Sequence, residues 1–147
     1  MLAIGCDHGG IHLKETIKEF LTSENIAFQD MGTYSEASVD YPDFAKKVAE
    51  AIISGVCEKG ILICGTGIGI SIAANKFHGI RAALCGECFS ARMSREHNDA
   101  NVLCMGERVV GKGVALDVVK VWLETPFAGG RHAGRVQKIH LLEEKPL

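Results

Sequence analysis

Apolar residues along the chain come in two spacings. Short uninterrupted runs rich in Ile, Val, Leu and Ala stand at Leu2 to Cys6, Ile26 to Gln29, Gly60 to Cys64, Ile80 to Cys85 and Val102 to Met105. Runs of that length without alternation fit strands buried on both faces. Between them lie longer stretches whose apolar positions recur every three or four residues. Examples are Leu13, Ile17, Phe20 and Leu21, then Ala45, Val48, Ala49, Ile52, Ile53 and Val56, and beyond Gly113 the set Ala115, Val118, Val119 and Trp122. That spacing puts one apolar stripe on a helix. Strands alternating with helices predict a parallel sheet, because right-handed crossovers lay the helices on its faces. The expected fold is a doubly wound α/β domain, Rossmann-like, with a five-stranded parallel sheet and helices on both faces.

After Thr125-Pro126 the pattern breaks into Gly129-Gly130-Arg131-His132-Ala133-Gly134-Arg135 and a short apolar-polar stretch. Proline and glycine punctuate a helix end there, so 125–147 reads as a C-terminal tail packing on the domain or on a partner subunit. A chain of 147 residues fits one domain, 1–147, with one core. The formal charge of −2, with no basic run, argues against a nucleic-acid partner but leaves room for a small anion. Met1 leads straight into an apolar run without the marks of a signal peptide, and no apolar run is long enough to span a bilayer. The six cysteines look reduced, so the expected location is the cytoplasm, with no membrane partner.

In open α/β sheets ligands gather at the carboxyl ends of strands. The first expected strand ends in Cys6-Asp7-His8-Gly9-Gly10 and the third in Cys64-Gly65-Thr66-Gly67-Ile68-Gly69, each opening a helix whose first N–H groups are unpaired. The glycine spacing of the second loop does not fit a dinucleotide fingerprint. A thiol before such amides can ionise more easily and act as nucleophile or base. It can equally be a small apolar residue ending a buried strand, and spacing leaves both readings open. Cys85 and Cys88 have redox or zinc spacing but lack the partners that would complete a site. His12 and His78 fall on expected helical positions and His140 in the tail, where surface histidines are the ordinary reading. His97-Asn98-Asp99 reads as the end of the fourth helix, and Arg131 and Arg135 share one face if their segment is helical.

Together these segments resemble the type B ribose-5-phosphate isomerase family, which includes the subunits of galactose-6-phosphate isomerase. The resemblance rests on Gly5-Cys6-Asp7-His8, Asp40-Tyr41-Pro42, the run from Ile63 to Lys76, Gly79-Ile80-Arg81-Ala82, Arg95-Glu96-His97-Asn98-Asp99 and Gly129-Gly130-Arg131-His132-x-x-Arg135-Val136, in that order over nearly the whole chain. It implies interconversion of ribose 5-phosphate and ribulose 5-phosphate through a cis-enediolate, with no metal and no cofactor. On this resemblance Cys64 is the base, and Thr66 with the amides of Gly65, Gly67, Ile68 and Gly69 holds the developing oxyanion. His97 opens the furanose ring with help from Asp7. His8, Asn98, Arg108, Arg131 and Arg135 contact the substrate, and Tyr41 and Ser71, inside the same motifs, join the expected binding positions. A branch of the family uses serine at position 64 and a glutamate at position 70; Cys64 and Ile70 put this chain in the other branch.

Six-carbon sugar phosphates, such as allose or galactose 6-phosphate, are the nearest alternative substrates, and a non-catalytic sugar-phosphate or nucleotide sensor is a distant one. The topology adds an expectation about assembly. Cys64 ends a strand whereas His97 ends a helix running back the other way, so one chain should not bring them together. A homodimer with a shared site is expected, and a higher oligomer stays open.

Overall fold

Burial on both faces dictates the centre of the fold. β1 (Leu2–Cys6) and β5 (Val102–Gly106) are buried at every residue, and β3 (Lys59–Cys64) at every residue but Lys59. The shorter β2 (Phe28–Asp30) and β4 (Ala82–Leu84) close the edges. The sheet runs β2-β1-β3-β5-β4, and all its pairings are parallel. The computed structural model describes residues 1–144, so the last three positions of the expected tail lie outside the described residues.

Alternation along the strands feeds two cores. Leu2, Ile4, Cys6, Ile61, Ile63, Leu103 and Met105 pack against α1 (Ile11–Ser23), α4 (Cys88–Glu96) and α5 (Lys112–Glu124), with Trp122 fully buried among them. Ala3, Leu62, Cys64, Val102 and Cys104 face α2 (Tyr41–Ile53) and α3 (Ile68–Ala74) on the other side. The doubly wound, five-stranded parallel sheet is therefore as expected.

Details differ where local bonding overrides the apolar pattern. Ile80 and Arg81 stay outside β4, because the Arg81 N–H is taken by the Asn101 side chain at 2.8 Å. Ile26 turns back to bond Leu21 before β2 begins. Val56 lies beyond α2, past Gly55 at φ 77°, and is exposed. His78 is in the turn after α3 rather than on a helix. The stretch read as a tail carries a thirteen-residue helix, α6 (Arg131–Glu143), whose Val136 is buried. Among the described residues no helix is long and apolar enough to cross a membrane.

A buried cation ties the sheet edge to the loop beside the carboxyl end of β1. Lys14, fully buried on α1, donates to Asp30 Oδ1 at 2.9 Å and to the Thr33 carbonyl at 2.7 Å. Lys18 reaches the other Asp30 oxygen at 2.8 Å. The loop then clasps β1, Cys6 N–H donating to Gly32 O and Thr33 N–H to Cys6 O. Burial works to raise the Asp30 carboxyl, but hydrogen bonds from Lys18, Lys14 and the Gly32 amide outweigh it and hold the group below its ordinary value.

Lys14→Ala removes the buried donor shared by Asp30 and the Thr33 carbonyl while Lys18 stays on the carboxylate, and should cost about 1–3 kcal/mol in urea unfolding at neutral pH. Because the Asp30 value is lowered by folding, its stabilisation is present above the unfolded value of about 4 and is lost as pH falls through the folded one. Asp30→Asn should therefore flatten the acid limb of the stability–pH curve. Parental stability in Lys14→Ala, or an unchanged acid limb in Asp30→Asn, would show that this pair does not hold the loop.

Candidate active site

The helix after β1 packs on one face of the sheet and the helix after β3 on the other. A crevice therefore opens between the carboxyl ends of these neighbouring strands. Asp7, the first residue beyond β1, is buried; its backbone N–H donates to Ile63 O at 3.2 Å and its Oδ1 accepts the Gly9 N–H at 2.8 Å. His8 Nδ1 accepts the Val39 N–H at 3.2 Å, which leaves Nε2 as the ring's donor when neutral. Gly9 lies so close to the second loop that a Cβ there would sit 3.0 Å from Gly65 N.

Cys64 ends β3 almost buried, and its Sγ accepts the Gly67 N–H at 3.1 Å. Gly67 is left-handed at φ 78°, and an added Cβ would meet the Met105 carbonyl carbon at 2.7 Å, so the turn that aims this amide requires glycine. Exposed Thr66 accepts the Ile68 N–H on Oγ1 at 3.2 Å, while buried Ser71 donates to Ile68 O at 2.7 Å. The Arg108 N–H donates to Gly65 O at 3.1 Å, and its guanidinium lies over Gly65. The Tyr41 ring covers Gly69, where a Cβ would lie 2.7 Å from Cζ. Asp7, His8, Tyr41, Ser71, Arg108 and the Cys64 to Gly69 loop thus gather at this one end of the sheet.

His97, Asn98, Arg131 and Arg135 do not join them. His97 caps α4, its N–H donating to Met93 O at 2.9 Å, and the chain then enters β5 from the amino end. Gly60 N–H donates to Asn101 O at 2.9 Å on that edge, and Cys64 lies four residues further along β3, ~13 Å away at the strand rise. Ala128 N–H bonds Glu96 O at 3.0 Å, which brings Gly129 and Gly130, at φ 64° and 55°, beside the end of α4. These glycines turn the chain into α6, so that the His132 ring stacks on His97 with centroids 4.2 Å apart. Arg135 Nη1 lies 3.5 Å from His132 Nδ1, and Arg131 is exposed one helical turn from Arg135. Burial first, then the charges of His97, Arg131 and Arg135, lower His132 from its ordinary value against an opposing pull from Glu96. The expected site residues therefore form two sets at opposite ends of one chain.

Two residues outside the expected set help build these clusters. His132 stands between Arg131 and Arg135 in the same motif. Glu107 had no local signal: its Oε1 caps α1 by accepting the Leu13 N–H at 2.7 Å, 94 positions away, while its own N–H donates to Cys64 O at 3.0 Å.

The sequence pattern of the Ribose/Galactose Isomerase family matches residues 2–139. The chain belongs to this family. It is 59% identical to ribose-5-phosphate isomerase B of Clostridium thermocellum, whose structure superimposes with a TM-score of 0.96 over 97% of each chain. It is 50% identical to ribose-5-phosphate isomerase B of Escherichia coli K12 over 144 residues, 98% of this chain and 97% of that one. The structure of ribose-5-phosphate isomerase B from Mycoplasma genitalium with bound ribulose-5-phosphate is 39% identical, with a TM-score of 0.94 over 99% of this chain and 97% of that one.

Within this isomerase-family fold the cysteines divide by environment. Burial pushes Cys6 up to about 12, despite an opposing pull from Lys14, and raises Cys57, Cys85 and Cys104 as well. Among the described residues only Cys64 has a backbone amide directed at its sulfur. Iodoacetamide at neutral pH should therefore modify Cys64 ahead of those four, as read by peptide mass mapping. Modification of Cys6, Cys57, Cys85 or Cys104 ahead of Cys64 in the folded protein would contradict this ordering.

Proposed function

We propose that the chain interconverts ribose 5-phosphate and ribulose 5-phosphate in the cytoplasm, without a metal, using Cys64 as base in a site completed by a second copy of the chain. The observation that carries this reading is the Gly67 amide aimed at the Cys64 sulfur beside Asp7, His8 and Arg108. An amide there can donate to a sulfur that carries charge, and a thiolate can take a proton from carbon. Family membership, and a relative solved with bound ribulose-5-phosphate, support the substrate class.

Chemistry begins with ring opening. His97 of the partner subunit protonates the ring oxygen as its bond to C1 breaks, and Asp7 accepts the proton of the C1 hydroxyl. The Cys64 thiolate then removes the proton from C2, whose electron pair forms the C1=C2 double bond and leaves the oxyanion on O1. The amides of Gly65 to Gly69 and the Thr66 hydroxyl hold that charge, where preorganised donors contribute most. A proton passes from O2 to O1, the C2 carbonyl forms, and the Cys64 thiol returns its proton to C1. Arg108 together with Arg131 and Arg135 of the partner subunit holds the phosphate, with His8, Tyr41, Ser71 and Asn98 lining the sugar. Charge-assisted contacts of this kind orient the reacting end.

Conversion of ribose, allose and galactose phosphates, assayed with a chelator present, tests the reading. Turnover of ribose 5-phosphate is expected, and turnover of none of the three would favour a sensor. Cys64→Ser should lower kcat by about 10²–10⁴-fold with little change in KM, and adding Ile70→Glu should restore part of the rate. A Cys64→Ser enzyme turning over near the parent rate would mean that the base is another group.

A further inference from the structure

The motif Gly79-Ile80-Arg81-Ala82 has no part in the chemistry above, yet its arginine bonds both the turn that follows His97 and a histidine of α6. Arg81 Nε donates to the carbonyls of Asn98 and Asp99, both at 3.0 Å. Nη2 reaches Asp99 O at 2.8 Å and Asp99 Oδ2 at 3.3 Å. Nη1 lies 2.7 Å from Nε2 of His140 on α6, and since a guanidinium only donates, that nitrogen must be the unprotonated one. We propose that Arg81 is a positioning residue that holds the His97–Asn98 turn and α6 as one unit, so that the ring-opening histidine and the two helix arginines are presented to the partner's crevice together. This rests on the role of His97 proposed above.

The geometry favours positioning over simple ion pairing. Arg81 is itself fixed at the sheet edge: its N–H donates to Asn101 Oδ1 at 2.8 Å, and its carbonyl accepts from the Asn101 and Val102 amides. Its side chain is 13% exposed, so water cannot easily replace the bonds it makes. Three of them go to backbone carbonyls of the turn, where only a fixed fork of donors can serve several acceptors at once. The turn needs such a clamp, because Asp99 is left-handed at φ 46° without being glycine. Arg95 holds the opposite side of the same residue, Nη1 donating to Asp99 Oδ1 at 2.8 Å. With nearly all its donors committed inside the chain, Arg81 has little left for a phosphate.

The test is a double-mutant cycle. Arg81→Ala and Arg81→Lys are each made in the parent and in His97→Ala, and kcat and KM for ribose 5-phosphate are measured on full-length protein whose folding is checked by near-ultraviolet circular dichroism. Lysine keeps the charge but not the fork, so both variants should lose about 10- to 100-fold in kcat in the parent background, the scale of a small misplacement of a catalytic group. In His97→Ala the same changes should cost less than about threefold in kcat, because the ring-opening group is gone, while any rise in KM from displaced Arg131 and Arg135 should persist. Where Arg81→Ala fails to fold, Arg81→Lys carries the comparison. Equal losses in both backgrounds, or a folded Arg81→Lys enzyme with the parental kcat, would overturn the proposal and leave the isomerase reading intact. A parent chain inert toward ribose 5-phosphate, or a His97→Ala enzyme as fast as the parent, would overturn that reading and the proposal with it.

Discussion

In a parallel sheet every helix between strands runs back against them, so a residue that ends a strand and a residue that ends a helix stand at opposite ends of the domain. That constraint governs this protein. Cys64 ends β3, and His97 ends α4. No side-chain rotation closes a gap of most of a strand's length. The proposed reaction, which needs both groups, would have to be assembled from two copies, and a two-fold pair would meet the requirement twice.

Each half is rigid for its own reasons. At the crevice, three hydrogen bonds fix the loops: the Asp7 amide on Ile63, the Gly67 amide on the Cys64 sulfur, and the Glu107 amide on the Cys64 carbonyl. Lys14 and Asp30 brace the neighbouring loop from beneath. At the other end, Arg81 and Arg95 grip Asp99 from two sides, and the Gly129-Gly130 turn delivers α6 to the His97 ring. Placement of this kind would let the proposed acid–base groups act without large motions.

Much of this was legible beforehand, because fully buried strands and amphipathic helices leave strong periodic signals. The central strands could be read within a residue or so, from Leu2 to Cys6 or from Val102 on, and the split between Cys64 and His97 followed from the order of the elements. Less legible were features made by distant partners. Ile80 and Arg81 look like strand residues until Phe77 and Asn101 take their amides, and nothing near Lys14 in the sequence marks it as buried before Asp30 arrives from the edge strand. The helix over Arg131–Glu143 was obscured by its glycine-rich entrance and by an exposed surface that includes Leu141 and Leu142. His132 lay in plain view, but only the fold put its ring on His97.

The most direct measurement of the central claim is subunit complementation. Cys64→Ala and His97→Ala chains, each far slower than the parent alone, are mixed in equal amounts and allowed to exchange, with exchange verified by native mass spectrometry. In a mixed dimer one site carries both substitutions and the other neither, so random pairing should return about a quarter of the parental turnover of ribose 5-phosphate. Mixed dimers that form and stay inactive would contradict a site shared between two chains.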